Sequence, residues 1–244
     1  MCRSRSPSDD RRKAGFAESD DCMNWRIARV LFAAVAFVTN VGIARQLPTP
    51  TPPPPQLIDI KSVDPTIVVD LRYATDDNFM RRALYPPNMP ALVRPSVAER
   101  LVAAQNFLRN FGFRLKIWDA YRPTAVQQQL WRALQNGAFV SNPAGSVGSM
   151  HSRGAAVDAT LVDKQGRDVS MPSEFDQFTP AAMLRYNGRD PVVLSNLTML
   201  QRAMARSGFY GLRTEWWHFC AEDWARYSMI EDVQFVTTGD RKTP

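Results

Sequence analysis

Phe113-Arg114-Leu115-Lys116-Ile117-Trp118-Asp119-Ala120-Tyr121-Arg122-Pro123 reads as a strand that runs straight into a helix. Phe113, Leu115 and Ile117 alternate with Arg114 and Lys116, the two-residue period of a half-buried strand, which delivers Asp119 to Pro123 at its end. In the helix that follows, Val126, Leu130 and Leu134 share one face and Gly137 closes it. Upstream, Ser96-Val97-Ala98-Glu99 reads as a capping box, and Leu101, Ala104, Leu108 and Phe111 follow at helical spacing up to Gly112. The β-branched run Thr66 to Leu71 predicts a strand leading into the polar segment Tyr73 to Phe79. Downstream the pattern predicts a strand over Gly154 to Val162 and a short helix from Thr179-Pro180 to near Gly188. A further helix is expected from about Ser195 to Ser207, with Gly208 as its stop, and then an aromatic-rich strand from Phe209 to Phe219. These elements mix without a βαβ rhythm, internal repeat or phosphate-cradling glycine loop, so the class is α+β.

The whole chain has 244 residues, 45% hydrophobic, 22% charged and 10% aromatic, the balance of a folded globular protein. A net charge of +6 without a Lys/Arg cluster gives no reason to expect nucleic-acid binding. Met23 opens a signal-like pattern: Arg26 and Arg29, an apolar run from Val30 to Val38, and small residues at Gly42-Ile43-Ala44. The true start is then Met1 or Met23, and residues 1–44 form a leader. With cleavage the product is exported and periplasmic. Without it the leader is a signal anchor and the only membrane contact, although the apolar stretch falls short of the ~20 residues that span a bilayer. Residues 45–56 form a Pro-rich, extended linker. A domain over 57–236 and a short tail over 237–244 complete the chain. Cys2 and Cys22 precede the apolar run, so Cys220 is alone in the mature chain and no internal disulfide is expected.

The only two histidines carry the chemistry. His151 stands seven residues before Asp158, at the start of a strand on which Ala156, Asp158 and Thr160 share one face, and Gly154 permits the turn that brings the imidazole back over that face. The second half is Glu215-Trp216-Trp217-His218. His151, Asp158 and His218 make three protein ligands for one tetrahedral zinc, with the fourth position left to water, the arrangement of a catalytic rather than a structural site. Glu215 is then the general base for that water. In an ideal strand residues 215 and 218 face opposite ways, so a bulge or turn near Trp216 is required. Arg122, at a strand-to-helix turn, supplies the positive charge for the oxyanion. Trp216 and Trp217 are expected in the core.

These segments resemble the VanX-type D-alanyl-D-alanine dipeptidases, zinc enzymes on the fold shared by D-Ala-D-Ala carboxypeptidases and the hedgehog signalling domain. The likeness rests on Tyr73 to Phe79, Asp119-Ala-Tyr-Arg-Pro123, the run from Ser149 to Asp158, Met171 with Phe175-Asp176, and Glu215-Trp-Trp-His218, in family order across nearly the whole mature domain. The resemblance implies zinc ligands His151, Asp158 and His218, base Glu215, transition-state arginine Arg122, and substrate contacts from Tyr73 and Ser149. It further implies a mainly antiparallel sheet flanked by helices and a small dipeptide as substrate. A zinc carboxypeptidase or endopeptidase acting on peptidoglycan stems is the rival within the same chemistry. A non-catalytic cell-wall or zinc-binding module is the rival outside it, but such a module needs no base.

Overall fold

The computed structural model describes residues 57–230. The expected leader, linker and tail, and the last residues of the expected domain, lie outside the described residues. A short ladder joins β1 (Ile58–Asp59) to β3 (Leu92–Val93) antiparallel, and between them lie α1 (Ile60–Val63) and β2 (Val68–Val69). The chain continues through α2 (Pro95–Arg109), β4 (Phe113–Asp119), α3 (Thr124–Ala133), β5 (Ala156–Asp163), α4 (Pro191–Arg206), β6 (Phe209–Leu212) and β7 (Glu215–Ala221). The central sheet has the order β2-β4-β5-β7-β6; only the β2–β4 pair is parallel. The α+β expectation and the mainly antiparallel sheet are both met.

One face of this sheet is apolar. Leu115 pairs with Leu161, Ile117 with Ala159 and Val157 with Phe219, and all are buried in one core with Leu101, Leu108, Leu197 and Leu200 of α2 and α4. Register partners lie on the same side of a pleated sheet, so Asp158 and His218 project from the other face.

Several boundaries differ from the sequence expectation for identifiable reasons. The capping box at Ser96 does not form: Pro95, with its fixed φ, occupies the first helical position of α2, Arg94 is the N-cap, and the Ser96 hydroxyl shares a hydrogen bond with the Tyr227 hydroxyl at 2.5 Å. Phe111 lies past the end of α2 and is 47% exposed. Only Val68 and Val69 of the expected Thr66–Leu71 strand join the sheet, because the chain turns away at Arg72–Ala74. Leu134 already leaves the helical region, so α3 ends before Gly137. The expected helix near Thr179 is one 3-10 turn, Pro180–Ala182. α4 begins before Ser195, because Asp190 caps it by accepting hydrogen bonds from the Val192 and Val193 amides. The expected strand from Phe209 to Phe219 is a hairpin of two strands.

Candidate metal centre and pocket

Three neighbouring strands set three functional side chains in a row. On the β4–β5 ladder the pairing jumps from Ile117–Ala159 to Asp119–Asp158, so Trp118 is the extra residue of a bulge; the next ladder pairs Asp158 with His218. Asp119, Asp158 and His218 therefore stand side by side on one face. His151 arrives from outside the sheet, on the 3-10 turn His151–Arg153, which Gly154 closes in the left-handed region at φ 66°. A side chain at Gly154 would meet Leu57 Cδ2 at 2.6 Å, so only glycine makes this turn.

The donor atoms converge. His151 Nε2 lies 3.1 Å from His218 Nδ1 and 3.4 Å from Asp158 Oδ1, and His218 Nδ1 lies 3.0 Å from that same oxygen. The outer nitrogens are occupied: His151 Nδ1–H donates to the Ala120 carbonyl at 2.7 Å, and His218 Nε2 lies 3.2 Å from Cys220 Sγ. The carbonyl can only accept, so it fixes the His151 proton on Nδ1 and turns the Nε2 lone pair inward; with the His218 proton on Nε2, a second lone pair and a carboxylate oxygen face the same point. Three converging lone pairs repel unless a cation sits between them. Ligands of a tetrahedral zinc at 2.0–2.1 Å are about 3.3 Å apart, which matches the separations found, so the residues fit zinc. Burial alone would raise the Asp158 pKa, but His151 and His218 outweigh it and hold the carboxyl well below the usual range, so it is ionised as a ligand must be. Burial alone would lower the His218 pKa, but the Cys220 sulfur and Asp158 outweigh it and raise it, so metal binding releases a proton at that imidazole.

The bulge that Glu215 needs is present. Opposite β6, pairing jumps from Gly211–Phe219 to Leu212–Glu215, so Trp216, Trp217 and His218 bulge out of that ladder. Glu215 thereby comes to the His218 side, with Oε2 3.9 Å from His218 Nδ1. Burial raises its pKa to about 8, against the pull of His218. Arg122 is buried and held by Asp119, whose Oδ2 accepts from Nε at 2.9 Å and lies 2.7 Å from Nη2; Asp158 Oδ2 is 3.6 Å away. Burial would lower the Arg122 pKa, but Asp119 outweighs it, so the guanidinium stays cationic.

These groups line a cavity of about 130 Å³, small beside the ~300–1,000 Å³ of drug-sized sites. Tyr73 and Ser149, both buried, are on its wall, with Trp217. Trp216 and Trp217 are both core residues as expected. All seven residues singled out from the sequence meet at this one pocket. Three others went unassigned. Asp119 fixes Arg122, and its place in the Asp-Ala-Tyr-Arg-Pro run is the only hint in the sequence. Asp176 lines the pocket at φ 57°, accepting from the Tyr73 hydroxyl and the Phe79 amide, both at 3.3 Å. Burial raises its pKa to about 7. Gln127, fully buried on α3, also lines the pocket.

Comparison with known proteins agrees with this geometry. A family model described as D-ala-D-ala dipeptidase matches residues 55–235. The D-alanyl-D-alanine dipeptidase of Escherichia coli strain K12 is 32% identical over 177 residues, covering 72% of this chain and 90% of that protein. The Enterococcus faecium protein of the same name is 28% identical over 172 residues, covering 63% of this chain and 85% of its own. That of Streptomyces coelicolor is 29% identical over 175 residues, with the same two coverages of 63% and 85%. Among solved structures, VanYB in complex with D-alanine-D-alanine is matched at 15% identity and a TM-score of 0.35 over 61% of this chain and 87% of that chain, a likeness too slight to bear on the site.

Proposed function

The chain belongs to the D-ala-D-ala dipeptidase family of peptidases, and from that membership we propose that it is a zinc enzyme hydrolysing D-alanyl-D-alanine or a closely related dipeptide. The observation that carries this reading is the convergence of His151, Asp158 and His218 on one point, with Glu215 beside them, inside a small buried pocket. Zinc held there supplies Lewis-acid polarisation of the scissile carbonyl and acidifies the attacking water. Glu215 takes the proton from that water and passes it to the leaving amine. Arg122, cationic and fixed by Asp119, stabilises the negative charge that develops on the carbonyl oxygen. Asp176 offers a carboxylate for the substrate ammonium, and the Tyr73 and Ser149 hydroxyls supply hydrogen bonds along the dipeptide.

Export to the periplasm, and with it a place in cell-wall or peptidoglycan turnover, belongs to the same proposal and rests on the signal-like leader at residues 1–44. Among the described residues no helix is long and apolar enough to cross a membrane. The test is hydrolysis of D-Ala-D-Ala beside L-Ala-L-Ala by the purified protein, before and after chelation. The proposal expects the D,D substrate to be cleaved preferentially, with loss on chelation and recovery on adding zinc. Activity that survives complete zinc removal would end it.

A further inference from the structure

Arg122 carries five N–H donors, and two of them make hydrogen bonds to neighbouring side chains. Nε donates to Asp119 Oδ2 at 2.9 Å, with Nη2 ion-paired to the same oxygen at 2.7 Å. Nη1 donates to Gln127 Oε1 at 2.9 Å. Asp119 alone would leave the guanidinium free to tilt about the edge it binds. The Gln127 contact at a second edge removes that freedom and holds the guanidinium in the pocket lining, with Nη2 also 3.6 Å from Asp158 Oδ2.

The other end of the same amide is also committed. Gln127 Nε2 donates to the Ser141 carbonyl at 2.8 Å. Ser141 belongs to the segment between α3 and the His151 turn, where Phe139, Val140 and Ser141 line the pocket. That segment has no helix or strand of its own between residues 134 and 150, so this side-chain bond joins it to the rigid part of the site. A fully buried glutamine is costly unless both ends of its amide are satisfied, and here one end holds a catalytic group while the other holds the pocket wall.

Building on the zinc dipeptidase reading, we infer that Gln127 is a positioning residue that sets the aim of Arg122 and the closure of the pocket wall at Ser141 through one amide. The two bonds predict different kinetic losses. Loss of the Arg122 contact lets the guanidinium misalign with the developing charge and falls on kcat. Loss of the Ser141 contact loosens the wall that encloses the bound dipeptide and falls on KM.

The test compares wild type, Gln127→Met and Gln127→Glu, each loaded with zinc and checked for metal content. Steady-state kinetics on D-Ala-D-Ala are measured beside amide hydrogen exchange over residues 134–148. Methionine keeps the length and loses both bonds: kcat is expected to fall about 10–100-fold, in the range a small misplacement of a catalytic group produces, with faster exchange in the segment and unchanged zinc content. Glutamate keeps an acceptor for Arg122 but turns an oxygen toward the Ser141 carbonyl. Its kcat should stay within about fivefold of wild type, while KM rises about tenfold and exchange quickens as in the methionine variant. If Gln127→Met kept wild-type kcat and KM while losing only thermal stability, Gln127 would be a core residue and the inference would be overturned. Should wild type fail to cleave D-Ala-D-Ala, the dipeptidase reading falls separately; exchange over 134–148 still decides the tether, and unchanged exchange in both variants rejects it.

Discussion

Asp158 on β5 and His218 on β7 are register partners whose Oδ1 and Nδ1 atoms lie 3.0 Å apart, with the outer nitrogen of His218 turned to Cys220. A buried carboxylate is costly without a positive charge beside it, and the second imidazole, from His151, faces the same point. Zinc therefore does structural as well as chemical duty at this site.

One zinc per chain follows, bound by the only two histidines and Asp158. Chelation should lower the melting temperature: an ion present at 100 times its Kd contributes about 2.7 kcal/mol, which is about 5–10 °C for a domain of this size. Calorimetry with and without chelator checks this. A His151→Ala, His218→Ala double variant should show neither zinc nor a chelator effect, and full zinc occupancy in it would remove the ligand assignment.

Glu215→Gln should keep its zinc and lose about 10²–10⁴-fold in turnover, the usual worth of a general base. Burial raises the Glu215 pKa to about 8, and a base acts only when deprotonated, so kcat/KM rises with pH through that group. A divalent ion a few ångströms away favours the carboxylate, which puts the rising limb below pH 8. A pH profile of wild type beside the variant checks both statements; a turnover within about threefold of wild type would take Glu215 out of the mechanism.

Arg122→Lys should lower kcat more than it raises KM. Lysine keeps the charge but has no planar fork to span Asp119 and Gln127 while pointing into the pocket. Steady-state kinetics separate the two effects, and a rise in KM alone would make Arg122 a ground-state clamp on the substrate.

Asp176→Asn should stabilise the fold at neutral and alkaline pH. The folded-state pKa of Asp176 is raised to about 7 by burial, so the charged, half-buried carboxylate penalises the folded state fully above pH 7. The penalty shrinks as pH falls toward the ordinary carboxyl range, where both states hold the proton. Asparagine tolerates the left-handed backbone at this position. Melting curves from pH 5 to 8 should show a gain that is largest at pH 8, accompanied by a higher KM for a substrate bearing a free ammonium.

The elements that place the metal centre were legible because they rest on short-range pattern. Alternation gave β4, Gly154 marked the turn under His151, and the need for a bulge before His218 followed from the two-residue strand period alone. What the sequence did not disclose depends on contacts far along the chain. Ser96 has the pattern of a cap, yet Pro95 moves the helix start and Tyr227 takes the hydroxyl. Asp176 stands in one of the segments that carry the family likeness but received no role, and only the fold brings it under Tyr73. Gln127 sits beside the apolar positions of an amphipathic helix, and nothing local reveals that its partners are Arg122 and Ser141.

A free dipeptide, with its ammonium at Asp176, is the proposed occupant of this pocket. The direct measurement is kcat/KM on D-Ala-D-Ala and on a pentapeptide ending in D-Ala-D-Ala. A longer peptide brings a neutral amide to Asp176 in place of an ammonium, and extra bulk to a cavity of about 130 Å³; a polar mismatch of this kind costs up to about 10⁴–10⁵-fold in discrimination. A preference for the dipeptide of at least about 10³-fold is expected, within that bound. Equal values on the two substrates would contradict it and identify a carboxypeptidase acting on peptidoglycan stems.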